Sequence, residues 1–221
     1  MEEARRTYVP AAGHHWSLPL YDPIVKLLGA DRARGALLDQ AAVRPRQRVL
    51  DIGCGTGSLA VQIKRIHPDV EVVGVDPDPK ALARARGKVE RARVEIQLHR
   101  GFSDALPYPD ASFDHVFSSF MFHHLAEREK EDSLREVRRV LKPGAFLHLL
   151  DFGGSDSGKD GSLVRWFHSN HRLKDNSEGR LLELMQGAGF ADPKKVANRA
   201  MFLLRIAYYQ ASAPAAEASA A

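Results

Sequence analysis

Between Val49 and Gly57 the chain reads VLDIGCGTG, an apolar run with an aspartate near its end and then glycine at alternate positions, Gly53, Gly55 and Gly57. Glycine reaches backbone angles closed to other residues and carries no Cβ. Such a turn lets a ligand approach the main chain, and the free N–H groups at the start of a following helix would face it. A turn that merely joins a strand to a helix is the alternative. A dinucleotide fingerprint places glycine at the sixth position of G-x-G-x-x-G, where this chain has Ser58, so a nicotinamide-type ligand is weakened but not excluded. Asp76 lies 25 positions after Asp51 and closes a second apolar run. A carboxylate at that place can accept both hydroxyls of a ribose, which points to a nucleoside. Its other reading, a helix cap, suits Asp78 better.

Positioning these groups requires strands that end where they begin. From Gln47 onward, short β-rich runs alternate with helix-length amphipathic segments, the pattern of a parallel sheet covered by helices. The expected strands are Arg48 to Ile52, Glu71 to Val75, Val94 to Leu98, Phe113 to Ser118 and Ala145 to Leu150. A closing pair is expected at about Pro193 to Asn198 and Met201 to Tyr208. The expected helices run from Leu59 to Ile66, from Asp78-Pro79 to Arg91, from Glu127 to Leu141 and over 178–188. The charges of Glu127–Asp132 and Arg135–Arg139 read as the solvated face of the third of these. The fold class is therefore α/β: a Rossmann-like, doubly wound, mostly parallel seven-stranded sheet with a terminal antiparallel strand and helices on both faces. A ligand in such a sheet binds beyond the carboxyl ends of the strands. Residues 1–43 are expected to form a helical N-terminal lid segment, 44–210 the ligand-binding domain and 211–221, almost all Ala, Ser, Pro and Glu, a disordered tail.

Composition narrows the class further. The chain has 221 residues, 44% hydrophobic and 27% charged, enough for one well-buried domain. No apolar stretch approaches the ~20 residues of a membrane helix. MEEARRTYVP lacks the apolar run of a secretory signal, and Cys54 is the single cysteine, so a cytoplasmic setting is expected. The net charge of +4 is mild and spread out, which disfavours a nucleic-acid partner.

VLDIGCGTGSLA, GVDPDP, GFSDALPYPDASFDHVFSSFMFHHL and EVRRVLKPGAFLHLLDF, in that order, resemble the motifs of class I S-adenosylmethionine-dependent methyltransferases. The likeness is to the small-molecule branch that includes the ubiquinone/menaquinone-biosynthesis methyltransferases, and it covers roughly residues 48–152. It implies S-adenosylmethionine as cofactor and S-adenosylhomocysteine as product. It also implies that Asp51, Gly53 and Gly55 line the methionine part. Cys54, in the same turn, is expected among the cofactor-binding positions as a small packing side chain, and no histidine is placed by sequence to make it a nucleophile. Asp76 would then hold the ribose, Pro77 would flank the adenine, and Ser118 and Ser119 would face the sulfonium. The family usually has Gly-Asp before the Leu-Pro-aromatic run; here the pair is Gly101-Phe102, with Asp104 later. Phe102 is therefore expected to stack on the adenine while main-chain N–H groups near Ser103 read its edge.

Methyl transfer needs alignment and exclusion of water, and it needs a base only if the acceptor arrives protonated. His123 and His124, after the fourth strand, are the candidate bases; the plainer reading is that one packs under the sheet edge and the other lines the pocket without titrating. Trp16 and Tyr21, with His14 and His15, would belong to the lid or to a docking helix. Trp166, with His168 and His171, lies in the insert after the fifth strand; together with Phe122 these aromatics are the candidate acceptor pocket. No metal site is expected, because the paired histidines are adjacent and no HExxH or Cys/His spacing occurs. The lone thiol argues against arsenic methylation, and the lack of an Asn/Asp-Pro-Pro-aromatic run argues against methylation of base nitrogens in nucleic acid. Two rival functions stay open at this point, a dinucleotide-dependent oxidoreductase and a non-catalytic module that binds S-adenosylmethionine.

Overall fold

The computed structural model describes residues 27–153, 178–201 and 204–215. Its elements are α1 (Ala30–Asp39), β1 (Arg48–Ile52), α2 (Ser58–Ile66), β2 (Glu71–Asp76), α3 (Pro79–Ala92), β3 (Gln97–Arg100) and β4 (Phe113–Ser119). A single 3-10 turn (Phe122–His124) follows, then α4 (Glu127–Val140), β5 (Leu141–Phe152), α5 (Glu178–Gly187), β6 (Ala191–Met201) and β7 (Leu204–Ser212). They build one seven-stranded sheet in the order β3-β2-β1-β4-β5-β7-β6. β1 to β5 pair in parallel, and β7 lies antiparallel between β5 and β6.

The central strands are buried on both faces, which is why they read as near-continuous apolar runs. Alternate residues feed two cores. Leu50 and Ile52 face α4 and α5, packing with Leu134, Val137, Leu181 and Met185. Val49, Val72 and Phe117 face α1 and α2, packing with Ala33, Leu37, Leu59 and Ile63. Asp51, in step with Val49, therefore turns to the α1 and α2 side. Asp78 caps α3 by accepting the Lys80 N–H at 2.8 Å, with Pro79 at the first helical position.

Several boundaries differ from the expectation. β5 is longer at both ends (Leu141–Phe152), and the closing strands are Ala191–Met201 and Leu204–Ser212. Two further differences have a clear physical reason. β3 begins at Gln97 because Arg93 ends α3 in a left-handed conformation and the Val94 N–H still bonds back to Val89, so Val94 to Ile96 are spent leaving the helix. The ordered chain runs beyond residue 210: Ala211 pairs with Leu147 and Ser212 with Phe146, and the Ala213 N–H donates to Ala145 at 2.8 Å. A composition argument overlooks this because alanine and serine promise little apolar area, yet pairing with β5 holds the segment and Ala211 and Ala213 pack into the core; residues 216–221 lie outside the described residues. Likewise α1, the described part of the expected lid segment, is a sheet-covering helix whose Ala30, Leu37 and Leu38 are core residues.

His115 on β4 and His148 on β5 are both buried and meet at 3.0 Å, Nδ1 to Nε2. Gln47 Oε1 accepts the Arg44 N–H, so His115 Nε2, 3.2 Å from that oxygen, must carry the donated hydrogen. His115 Nδ1 is then the acceptor and His148 Nε2–H the donor, and both rings are neutral. Burial pushes His115 down to about 4 and His148 to about 3. Their unfolded values are near 6.5, so acid protonates the unfolded chain first. The stability they contribute is present above about pH 6.5 and is lost as pH falls toward 4. Against wild type, His148→Phe should lose less stability between pH 7 and pH 4.5 in urea titrations, by roughly 2 kcal/mol. Parallel loss in the two proteins would refute the assignment.

Candidate active site

Parallel register sets the strand tips side by side. Asp51 lies opposite Gly74 of β2 and Phe117 of β4, and Ser119 lies opposite Leu150 of β5. Asp51, Asp76, Ser118, Ser119 and Asp151 thus gather at one edge of the sheet, with the glycine turn across them. Gly53 and Gly55 have φ of 64° and 53°. A Cβ on Gly53 would stand 2.3 Å from Cγ of Met121, whereas one on Gly55 would meet nothing within 4 Å. The turn is therefore packed on the Met121 side and open at Gly55. Cys54 tucks against Gly74, where a Cβ would come within 3.0 Å of its Sγ. Burial pushes its thiol well above the usual range, so Cys54 is a packing residue, not a nucleophile.

The carboxylates differ in how they are satisfied. Asp76 accepts the Gly55 N–H at 2.8 Å and the Asp78 N–H at 2.9 Å, one on each oxygen. Burial nevertheless pushes it up to about 6, against those two bonds. Asp51 is 1% exposed, and neither of its oxygens has a hydrogen-bond partner among the described residues. Burial pushes it up to about 7; the Arg34 guanidinium pulls it down, Asp76 pushes it further up, and the Ala60 N–H of α2 favours the charge without closing a bond of ordinary geometry. A buried carboxylate without donors is costly unless a cation or donor arrives from outside the chain.

On the far side of β4 the 3-10 turn sets His123 against the tip of β5. Asp151 accepts His123 Nδ1 at 2.6 Å on one oxygen and the His123 main-chain N–H at 2.9 Å on the other, and the Phe152 N–H donates at 2.8 Å. Burial alone would raise Asp151; the His123 ring and these N–H groups more than reverse it and hold the carboxyl below its ordinary value. An ionised carboxylate only accepts, so Nδ1 donates to Asp151, and in the neutral form of the ring the lone pair lies on Nε2. The His123 side chain keeps 13% of its surface. His124 packs beside it, ring centroids 4.0 Å apart, and Phe152 stands edge-on at 4.9 Å. Met121, which fills the space beside Gly53, immediately precedes this turn and ties it to the glycine loop.

Several expected residues come together here and others do not. Pro77 follows Asp76, and its carbonyl accepts Arg100 Nε at 3.3 Å. Phe102 and Ser103 lie half-buried in the loop after β3. Ser118 is enclosed with its hydroxyl unpartnered among the described residues, while Ser119 accepts Arg34 Nε at 3.4 Å. Phe122 corrects the expectation: it is 0% exposed in the core with Leu134 and Met185, so its ring has no open face to line an acceptor pocket. Trp16, Tyr21 and Trp166 lie outside the described residues. The sequence reading missed Asp151 and Arg34. Asp151 carries the same signal as Asp51 and Asp76, an aspartate near the end of an apolar strand. Arg34, 7% exposed in a helix of alanines and leucines, carries none beyond its i,i+3 neighbour Asp31.

A family profile described as a methyltransferase domain matches residues 49–144. The chain is 41% identical over 150 residues to a demethylmenaquinone methyltransferase of Thermus thermophilus, covering 66% of this chain and 67% of that protein. It is 40% identical over 153 residues to the demethylmenaquinone methyltransferase of Deinococcus radiodurans, covering 67% of this chain and 62% of that protein. The crystal structure of the YcgJ protein of Bacillus subtilis superposes with a TM-score of 0.69 at 20% identity, over 83% of this chain and 98% of that one.

The two glycines separate strain from crowding. Gly55→Ala meets only the cost of a left-handed backbone and should destabilise by about 1 kcal/mol. Gly53→Ala must also displace Met121 and should cost roughly 2–4 kcal/mol in urea unfolding. Equal losses would show that Met121 does not fill the turn.

Proposed function

Because the chain belongs to the S-adenosylmethionine-dependent methyltransferases, we propose that it moves a methyl group from that compound to a small hydroxylated organic acceptor, with a reduced quinone ring as first choice. The observation that carries this reading is the His123–Asp151 pair, held at the sheet edge beside the glycine turn. The cofactor side fits the chain's own residues. Asp51 offers two donor-free oxygens to an ammonium group, the open space at Gly55 admits a ligand against the main chain, and Asp76 retains lone pairs for ribose hydroxyls. Bound S-adenosylmethionine would supply an electrophilic methyl carbon on a sulfonium, which departs as a neutral thioether and so needs no acid.

The remaining chemistry falls to the protein. An acceptor of the demethylmenaquinone type, for which the relatives are named, brings an O–H proton in its hydroxylated form. His123 Nε2, with the ring neutral, would take that proton as the sulfonium S–C bond breaks and the methyl carbon bonds either to the oxygen or to the adjacent ring carbon. In the second case that carbon then loses its own hydrogen as a proton to restore the ring. Asp151 stabilises the imidazolium. Asp151 also prevents ring flipping and fixes the tautomer. An amine or thioether acceptor would need no such base, and neither would a module that only bound the cofactor. An oxidoreductase reading gains nothing from the structure, since Ser58 opens α2 where the fingerprint wants the third glycine.

In an assay with a panel of hydroquinones and phenols, wild type should release S-adenosylhomocysteine. His123→Gln should lower kcat by about 10²–10⁴-fold while leaving S-adenosylhomocysteine affinity within about twofold. Asp151→Asn should do similar damage, because an amide N–H pointed at Nδ1 drives the proton to Nε2. No turnover by wild type with any member of the panel would overturn the proposal. Binding has its own pH signature. The ligand's ammonium favours ionised Asp51, whose free value is about 7, so affinity should be level above pH 7 and weaken as pH falls through it, by up to about tenfold per unit. Calorimetry from pH 8 to pH 5.5 reads this directly, and Asp51→Asn should flatten it.

A further inference from the structure

The charged residues of α4 do not all face solvent. Arg135 is 57% exposed and pairs with Asp132 and Glu131 on the surface, as the sequence reading expects. Arg139 and Glu136, at 31% and 22%, instead turn to the loop of residues 101–110. All five N–H donors of Arg139 are used. Nε reaches Glu136 at 2.7 Å, Nη1 reaches the Tyr108 carbonyl at 2.8 Å and Asp110 at 2.7 Å, and Nη2 reaches the Leu106 carbonyl at 3.0 Å and Glu136 at 2.8 Å. Glu136 in turn accepts the Leu106 N–H at 2.8 Å. One turn earlier, the enclosed Ser133 meets Ser103 hydroxyl to hydroxyl at 2.7 Å. Positions 133, 136 and 139 share one helix face. Within itself the loop has the Phe102–Ala105 bridge and the short Leu106–Tyr108 turn.

The place of this loop says what it reads. The sheet runs β3-β2-β1-β4, and the His123–Asp151 pair stands beyond β4. A nucleoside whose ribose lies on Asp76 at the tip of β2, with its reacting end toward β1 and β4, must send its base toward β3. There Gly101 continues from the strand, donating to the Asp76 carbonyl at 3.2 Å and packed so tightly that a Cβ would be 3.0 Å from Val75. We propose that Ser133, Glu136 and Arg139 are positioning residues that set nucleobase selectivity, fixing the main-chain donors and acceptors of the 101–106 loop from behind. The inference rests on the cofactor reading given above. A guanidinium with every donor engaged holds the carbonyls of Leu106 and Tyr108 in one geometry, and a lysine at the same place would keep the charge and lose the fork.

Calorimetry on the full chain with S-adenosylhomocysteine and with S-inosylhomocysteine, which exchanges the 6-amino group for a carbonyl, tests the inference. Wild type should prefer the adenine compound. Arg139→Lys should weaken that compound by about tenfold and the inosine compound far less, so that the ratio collapses, while Arg135→Lys leaves it unchanged. Ser133→Ala, which deletes one hydroxyl, should lower the ratio in the same direction and guards against an Arg139 variant that fails to fold. A purely structural role would lower the unfolding midpoint and leave the ratio intact. An unchanged ratio in folded Arg139→Lys and Ser133→Ala, or a wild type indifferent to the base, overturns the inference. A wild type that binds neither compound overturns the cofactor reading itself.

Discussion

Asp51 is enclosed at the tip of β1 with no donor on either oxygen among the described residues, and much of the edge around it is arranged to make that tolerable. Parallel strands deliver their ends to one side, so aspartates near the ends of β1, β2 and β5 crowd negative charge into a poorly hydrated rim. The three are satisfied to different degrees. Asp151 has a histidine and two N–H groups and is held below its ordinary value. Asp76 has two N–H groups and rises to about 6, and Asp51, with no hydrogen bond of ordinary geometry among the described residues, rises to about 7. The gradient marks where the chain is complete and where it awaits a partner. Charge is best compensated on the β5 side of β4, at Asp151, and least compensated at Asp51 beside the open face of Gly55, which is where a cationic ligand gains most.

Backbone strain collects at the same rim. Gly53, Gly55 and Gly57 all have positive φ, and Phe120, directly after β4, takes φ of 57° despite its bulk. Phe120 is held there by its N–H bond to Leu150 at 2.8 Å, by packing against Phe152 and by the Arg34 guanidinium over its ring. Such conformations persist only where surroundings over-determine them. Here the result is useful: the chain reverses within one residue of Ser119, so that Met121 drops onto Gly53 and His123 swings across to Asp151. Arg34 serves both ends of this arrangement, touching Ser119 and Phe120 while offsetting part of the cost of Asp51.

The glycine turn and the carboxylates near the tips of β1 and β2 are legible in the sequence because local order encodes them: an apolar run, an aspartate, then glycine or Asp-Pro. The sheet is legible for the same reason, since alternation of strands and helices leaves few topologies. What escapes is whatever depends on a partner distant in the chain. His123 can be suspected as a base, but Asp151 lies 28 residues on and becomes its partner only through β4–β5 register. Phe122 reads as a pocket aromatic from its neighbours, and only the turn direction buries it. The pairing of Ala211–Ala213 with β5 and its flank is invisible to composition because small side chains can still complete a backbone ladder. Glu136 and Arg139 have the spacing of any solvated salt bridge, and nothing local separates them from Glu131 and Arg135.

Fold alone does not decide chemistry, since one doubly wound sheet serves many reactions. The distinguishing feature here is asymmetry across β1. On the β2 and β3 side every group is suited to holding: carboxylates, main-chain N–H groups and a loop locked by a fully engaged guanidinium. On the β4 and β5 side stands a pair whose geometry suits proton transfer, because Asp151 binds and orients one imidazole nitrogen and leaves the other for a partner. A protein that only needed to grip a nucleoside would gain nothing from enclosing Asp151 to orient His123. On the proposal above, an imidazolium forming beside that carboxylate during turnover would offset its desolvation, with an acceptor that arrives carrying a proton to lose.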